Sequence, residues 1–199
     1  MLRALTRKKF LLSAGCAVSA AAAGGAAIGG LGAMASARTA PSRGQDLRVL
    51  GFLLGVERIE LAFYERAVRA GALRGELAEF AAAALIHERD HVAALEAALG
   101  SAPAAPAPLF EVGDALTDHD AFVAKAIALE DAGVAALNGQ ITNLTPERLG
   151  TGCAIVSVDA RHAAWIRDIG GMAPADGATD APLAAADVRA LLQRQGFLA

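Results

Sequence analysis

Disulfides, a basic surface and β-structure are all missing from this sequence, and each absence narrows what the chain can be. Its 199 residues include two cysteines, Cys16 and Cys153. Cys16 falls in a leading segment that reads as a removable export signal, which leaves one thiol and no intrachain disulfide. Cys153 sits in a helical apolar pattern and is expected to be a small buried packing residue. Of the 18 Lys and Arg, four (Arg3, Arg7, Lys8, Lys9) precede the first apolar run. That leaves 14 basic against 21 acidic residues, a net charge of −7. With no basic patch, nucleic acid is not expected as a partner. No segment sustains the period-2 alternation of a strand, so the fold is expected to be all-α.

Residues 1–37 have the layout of an export signal: a positive start, an uncharged Ala/Gly/Leu run from Phe10 to Met34, then small residues suited to cleavage. Cleavage would fall at Ala33-Met34-Ala35 or Ala35-Ser36-Ala37. The segment Thr6-Arg7-Lys8-Lys9-Phe10-Leu11-Leu12 resembles a twin-arginine (Tat) signal with Lys8 in place of the second Arg. The expected location is the periplasm or cell surface. Phe10 to Met34 is long enough to span a bilayer but only mildly apolar, so membrane attachment is expected only if the signal stays uncleaved. Ser13-Ala14-Gly15-Cys16 faintly matches a lipoprotein box, with too few apolar residues ahead of Cys16.

Four segments show apolar spacing of three and four. The first runs from about Gln45 to Ala70, with Leu50, Leu53, Leu54, Leu61, Tyr64 and Val68 on its stripe. The second runs from about Glu76 to Leu99 and the third from about Asp120 to Ile141. The fourth opens at Thr145, expected to cap, with Pro146 at the first helical position. It continues through Leu149, Ile155, Ala163 and Ile166 to Gly170-Gly171. Short joints near Gly71–Gly75 and Asn143–Pro146 make helices one and two, and three and four, antiparallel pairs. Between the pairs lies Ser101 to Asp118, holding Pro103, Pro106 and Pro108. At ~3.3 Å per extended residue this linker exceeds the length of a bundle. A four-helix bundle over residues 45–171, with one long crossover between helices two and three, is expected. Residues 172–199 read as a tail with a short helix from about Ala184 to Gln193.

Each apolar stripe is interrupted near mid-helix by a carboxylate: Glu57, Glu88, Glu130 and Asp159. Helices two and four add a histidine three residues on, His91 and His162, which projects from the same face. Four buried carboxylates would cost several kcal/mol each in desolvation unless compensated. Two divalent cations would cancel their charge, with two imidazoles completing the set. Oxygen and nitrogen donors without thiolate suit iron or manganese, without excluding zinc. The literal His87-Glu88-Arg89-Asp90-His91 also fits a zinc-protease motif, with His87 and His91 on the metal. That reading lacks a sheet for the substrate and leaves Glu57, Glu130, Asp159 and His162 without a role.

Four motifs carry a family resemblance: Val56-Glu57-Arg58-Ile59-Glu60-Leu61-Ala62-Phe63-Tyr64, His87 to His91, Leu129-Glu130-Asp131-Ala132-Gly133, and Asp159 to Arg167. On them the chain, from about Leu47 to its C-terminus, resembles ferritin-like domain proteins related to plant desiccation proteins. The resemblance implies a ferritin-like bundle with two divalent metals, held by Glu57, Glu88, His91, Glu130, Asp159 and His162. It places the first-helix ligand seven residues before a tyrosine, which selects Glu57 over Glu60. Tyr64 is then a hydrogen-bond donor to a ligand, and Glu60 a supporting group. The family has Glu where this chain has Asp159. One methylene fewer withdraws the carboxylate by roughly 1.5 Å, leaving a second metal held more weakly, through water, or not at all.

The implied function is redox chemistry on oxygen, peroxide or Fe(II) in oxidative or desiccation stress. A structural stress protein with a degraded metal site is the competing reading. A homodimer stays open, and nothing in the sequence signals a storage cage. Trp165 and Arg167 are expected to pack and pair structurally, and His119 to lie at the surface.

Overall fold

Helix boundaries follow the local chemistry closely. The computed structural model describes residues 40–101 and 112–198. It contains α1 (Arg43–Ala70), α2 (Gly75–Leu99), α3 (His119–Gln140), α4 (Pro146–Ile169) and α5 (Ala185–Arg194), with 3-10 turns at Gly113–Leu116 and Ile141–Asn143. No strand occurs among the described residues. The Ser42 hydroxyl accepts from the Gln45 N–H at 3.2 Å and opens α1. The Asp118 carboxylate does the same for α3, accepting from Ala121 at 2.8 Å. Gly71, at φ 63°, ends α1 in the left-handed conformation that a side chain resists.

Thr145 departs from its expected role. Pro146 does occupy the first turn of α4, but the Thr145 side chain caps nothing. Its hydroxyl and its backbone N–H instead donate to the two oxygens of Asp46, each at 2.8 Å. A buried carboxylate on α1 thereby ties down the start of α4.

Aromatic contacts fix the direction of each helix. Phe63 stacks on Phe122 of α3 at 5.2 Å, and Tyr64 meets Phe80 of α2 edge-on at 5.7 Å. Phe80 in turn meets Trp165 of α4 at 5.3 Å. The end of α1 therefore lies beside the starts of α2 and α3 and the end of α4. Each helix is antiparallel to both of its neighbours, α1 packing on α2 and α3, and α4 on α3 and α2. Leu99 and Asp118 consequently stand at opposite ends of the bundle, which requires one lengthwise crossover. Most of that crossover, residues 102–111, lies outside the described residues, as does the export segment. Among the described residues no helix is long and apolar enough to cross a membrane.

The tail is part of the core. Val188, Leu192 and Phe197 are fully buried, and Phe197 meets Phe63 edge-on at 5.8 Å. The approach depends on Gly139 of α3. Leu183 donates its N–H to the Ala135 carbonyl at 3.0 Å. A Cβ on Gly139 would stand 1.9 Å from the Leu183 carbonyl oxygen.

Three apolar positions differ from expectation. Val68 and Leu149 are 41% and 37% exposed, and Cys153 is an exposed free thiol. Val68 falls one residue past Ala67, where the buried line of α1 ends. Leu149 lies in the first turn of α4, ahead of Gly152 where burial begins. Cys153 is about 100° around the helix from Gly152, outside the line Gly152–Ile155–Asp159–His162–Ile166.

Two glycine substitutions should move stability in opposite directions. Gly139→Ala sets the added methyl against the Leu183 backbone and should cost about 1–3 kcal/mol. Gly51→Ala, in mid-α1 with nothing within 4 Å of the added carbon, should stabilise by up to ~1 kcal/mol. Urea denaturation of the two variants against the parent checks both signs.

Candidate metal centre

The helical period brings one carboxylate from each of the four long helices to the bundle interior. Glu57, Glu88, Glu130 and Asp159 are each at most 1% exposed, and His91 and His162 are buried with them. All six residues expected as ligands meet there, in two groups. Glu57, Glu88, His91 and Asp159 place donor atoms within 4.8 Å of one another, and Glu88, Glu130 and His162 do so separately. Glu88 belongs to both groups, one oxygen to each. Its Oε2 lies 3.1 Å from His91 Nδ1 and its Oε1 lies 3.2 Å from His162 Nδ1. His91 Nδ1 also lies 3.2 Å from Glu57 and 3.3 Å from Asp159. His162 Nδ1 is 3.6 Å from Glu130.

A cation fits this donor set. Glu57 Oε1, Glu88 Oε1, Glu130 Oε2, both oxygens of Asp159 and His162 Nδ1 are buried without a hydrogen-bond partner. Orphaned acceptors at such density are costly in a core, and a divalent ion satisfies several at once. The buried carboxylate/histidine cluster is thus compatible with a metal site. Asp159 joins the first group only, as its shorter side chain would suggest.

Supporting contacts come from residues outside the six. The Tyr64 hydroxyl donates to Glu130 Oε1 across the core, on the opposite oxygen from the one facing His162. Burial, then the negative charge of Glu130, pushes the Tyr64 hydroxyl well above its usual pKa. His87 is a partner that its sequence position conceals. Its Nδ1 lies 2.8 Å from His162 Nε2, and the two rings stack at 5.1 Å. With His162 Nδ1 turned to the carboxylates, the Nε2 hydrogen falls to His87, which orients the ring. Burial, then the charges of His162 and His91, lowers the His87 pKa and favours the neutral acceptor. This geometry removes the zinc-protease reading, because His87 is turned to His162 and not to the carboxylates around His91. Trp165 donates to Glu76 at 2.8 Å and Arg167 pairs with Asp131 at 2.5 Å, both structural contacts. His119 is exposed, beside Asp120.

Protons offset the charge of the cluster when metal does not. Burial pushes Glu57 up to about 8 and also raises Glu130. Burial, reinforced by the other carboxylates, holds Asp159 and Glu60 well above the usual range. Glu88 is the exception. Burial would raise it, but the imidazoles of His162 and His91 outweigh that and bring it to about 2. Burial would lower both histidines, yet their carboxylate neighbours raise His91 to about 10 and His162 to about 9.

The sign of the resulting pH dependence follows by linkage. Glu57, His91 and His162 bind protons more tightly folded than unfolded. The stability they contribute is complete below their ordinary values, 4.5 for Glu and 6.5 for His. It is lost as pH rises through about 8, 10 and 9 respectively. Glu88 contributes in the reverse sense, above 4.5, and loses it only near pH 2. Metal-free protein should therefore melt at a lower temperature at pH 9 than at pH 6. Scanning calorimetry after chelation checks this, and an increase in Tm over that interval would contradict it.

No curated protein matches the chain as a relative. The ferritin-like domain family matches residues 45–172, which covers α1 from Gln45 onward, the whole of α2, α3 and α4, and every residue of the cluster. By that match, together with its helical bundle, the chain belongs to the ferritin-like domain family.

Proposed function

We propose that this is an exported two-metal carboxylate protein that binds iron or manganese and acts on dioxygen, peroxide or Fe(II) in protection against oxidative or desiccation stress. One observation carries the reading: two adjacent buried donor groups share Glu88, as a carboxylate bridging two ions would be shared. Glu57, His91 and Asp159 would hold one ion, and Glu130 and His162 the other. Bound there, iron or manganese supplies electron exchange with oxygen or peroxide. The composition of residues 1–37 supports export.

The chain's own part is to position ligands and to manage water and protons. Tyr64 and His87 orient Glu130 and His162 from outside the donor groups. Phe63, Phe80 and Phe122, all fully buried, pack around Tyr64 with Phe197 against Phe63, and Phe80 meets the His162 ring edge-on at 6.3 Å. An apolar layer there would keep water from one end of the site and so strengthen the electrostatic interactions inside it. Deprotonating His91 and Glu57 is a condition of their acting as ligands, so metal uptake releases protons. Affinity should tighten as pH rises.

A second reading, a structural stress bundle with a degraded site, draws on one fact: Asp159 reaches only one donor group. Elemental analysis of residues 38–199, purified from iron- and manganese-supplemented cells, separates the two. The metal reading expects about two ions per chain, lost in a Glu88→Ala, His91→Ala double variant. A folded parent protein without metal would leave only the structural reading. Tyr64→Phe should keep the fold and weaken metal binding by roughly 10–100-fold, measured by competition with a chelator.

A further inference from the structure

The two donor groups are unequal: four residues form the first and three the second, because Asp159 does not reach the second. Beside them lies another carboxylate. Glu60 is completely buried, and neither of its oxygens has a hydrogen-bond partner. The charges that act on it are those of Glu57, Glu88, Glu130 and Asp159. A hydrophobic core would not ordinarily keep a carboxylate with both oxygens unmatched.

Its position is built. Glu60 follows Glu57 by three residues, as His91 follows Glu88 and His162 follows Asp159. On α3 the corresponding position after Glu130 is Gly133, and Glu60 fills the room this glycine leaves. A Cβ on Gly133 would stand 2.3 Å from Glu60 Oε1 and 3.2 Å from its Cδ. The carboxylate therefore lies against α3 one turn from Glu130, whereas Asp159 enters from α4 at the diagonal corner of the bundle. As placed, its oxygens lie outside both donor groups. Turning about its own side-chain torsions is the movement needed to bring one in.

We propose that Glu60 is a seventh metal ligand, the fourth donor of the Glu88–Glu130–His162 position, taking the place that Asp159 is too short to fill. This rests on the two-metal reading above. It turns Asp159 from a sign of decay into half of an exchange, in which a carboxylate from α1 does for the second ion what one from α4 does for the first. Glu60 acts through its reach and its anionic oxygen, so shortening and neutralising it should have the same effect.

Mn(II) titration of full-length metal-free protein, with free Mn(II) read by electron paramagnetic resonance, tests the proposal. The parent should take up about two ions. Glu60→Gln and Glu60→Asp should each retain the first and weaken the second by roughly tenfold or more. Adding Asp159→Glu to Glu60→Gln should restore the second ion, since the longer arm regains its reach. Circular dichroism and thermal melting of each metal-free variant separate lost binding from lost fold. Two ions bound with unchanged affinity in both Glu60 variants would overturn the proposal and leave the two-metal reading intact. Retention of the second ion by Glu60→Asp alone would also overturn it, because the charge would then suffice without the reach. A folded parent that binds one ion or none would remove the two-metal reading, and this proposal with it.

Discussion

Seven ionisable side chains (Glu57, Glu60, Glu88, His91, Glu130, Asp159 and His162) are buried at one level of a helical bundle, and the rest of the structure answers to that burden. A bundle core of Leu, Ala and Phe offers them almost no solvation. Their charge has to be cancelled within the group, by protons or by cations. The raised and lowered acidities favour protons in that role: the imidazoles of His162 and His91 hold Glu88 toward its ionised form, while burial pushes Glu57, Glu130 and Asp159 toward their neutral forms. Cations of charge two would replace several of those protons at once. The same seven positions are thus compatible both with a metal-free fold and with one that holds a metal, the two differing in what neutralises them.

Much of this was legible in the sequence because a helix repeats. A carboxylate that falls on an apolar stripe must point inward, so Glu57, Glu88, Glu130 and Asp159 declared themselves by phase alone, and His91 and His162 by their offset of three. Bundle topology followed from linker lengths, and the helix directions agree with it. Phase is a blunter guide where stripes end. Val68 and Leu149 fit the period but lie where the buried line stops or has not begun. Cys153 lies a single position off the buried line, enough to place it outside. Periodicity equally could not rank Glu57 against Glu60, since both lie on the inner face of α1.

Contacts between helices were beyond such reasoning. His87 lies on the exposed side of α2, and only the packing of α4 brings His162 to it. Thr145 looked like a cap because its position is a cap, but Asp46 arrives from 99 residues away and takes its hydroxyl. Phe197 carries no periodic signal, yet Gly139 lets the tail cross α3 closely enough to bury it. In each case the deciding partner is distant in sequence and the local pattern permits more than one outcome.

The lengthwise crossover divides the site between two hairpins. The α1–α2 hairpin carries Glu57, Glu60, Glu88 and His91, and the α3–α4 hairpin carries Glu130, Asp159 and His162. Each hairpin can form from contacts local in the chain, which is the fast part of folding. Neither covers its own carboxylates, which are buried only where the two hairpins meet. The cluster thus lies on the seam between the halves, and a cation held by donors from both would fasten them together.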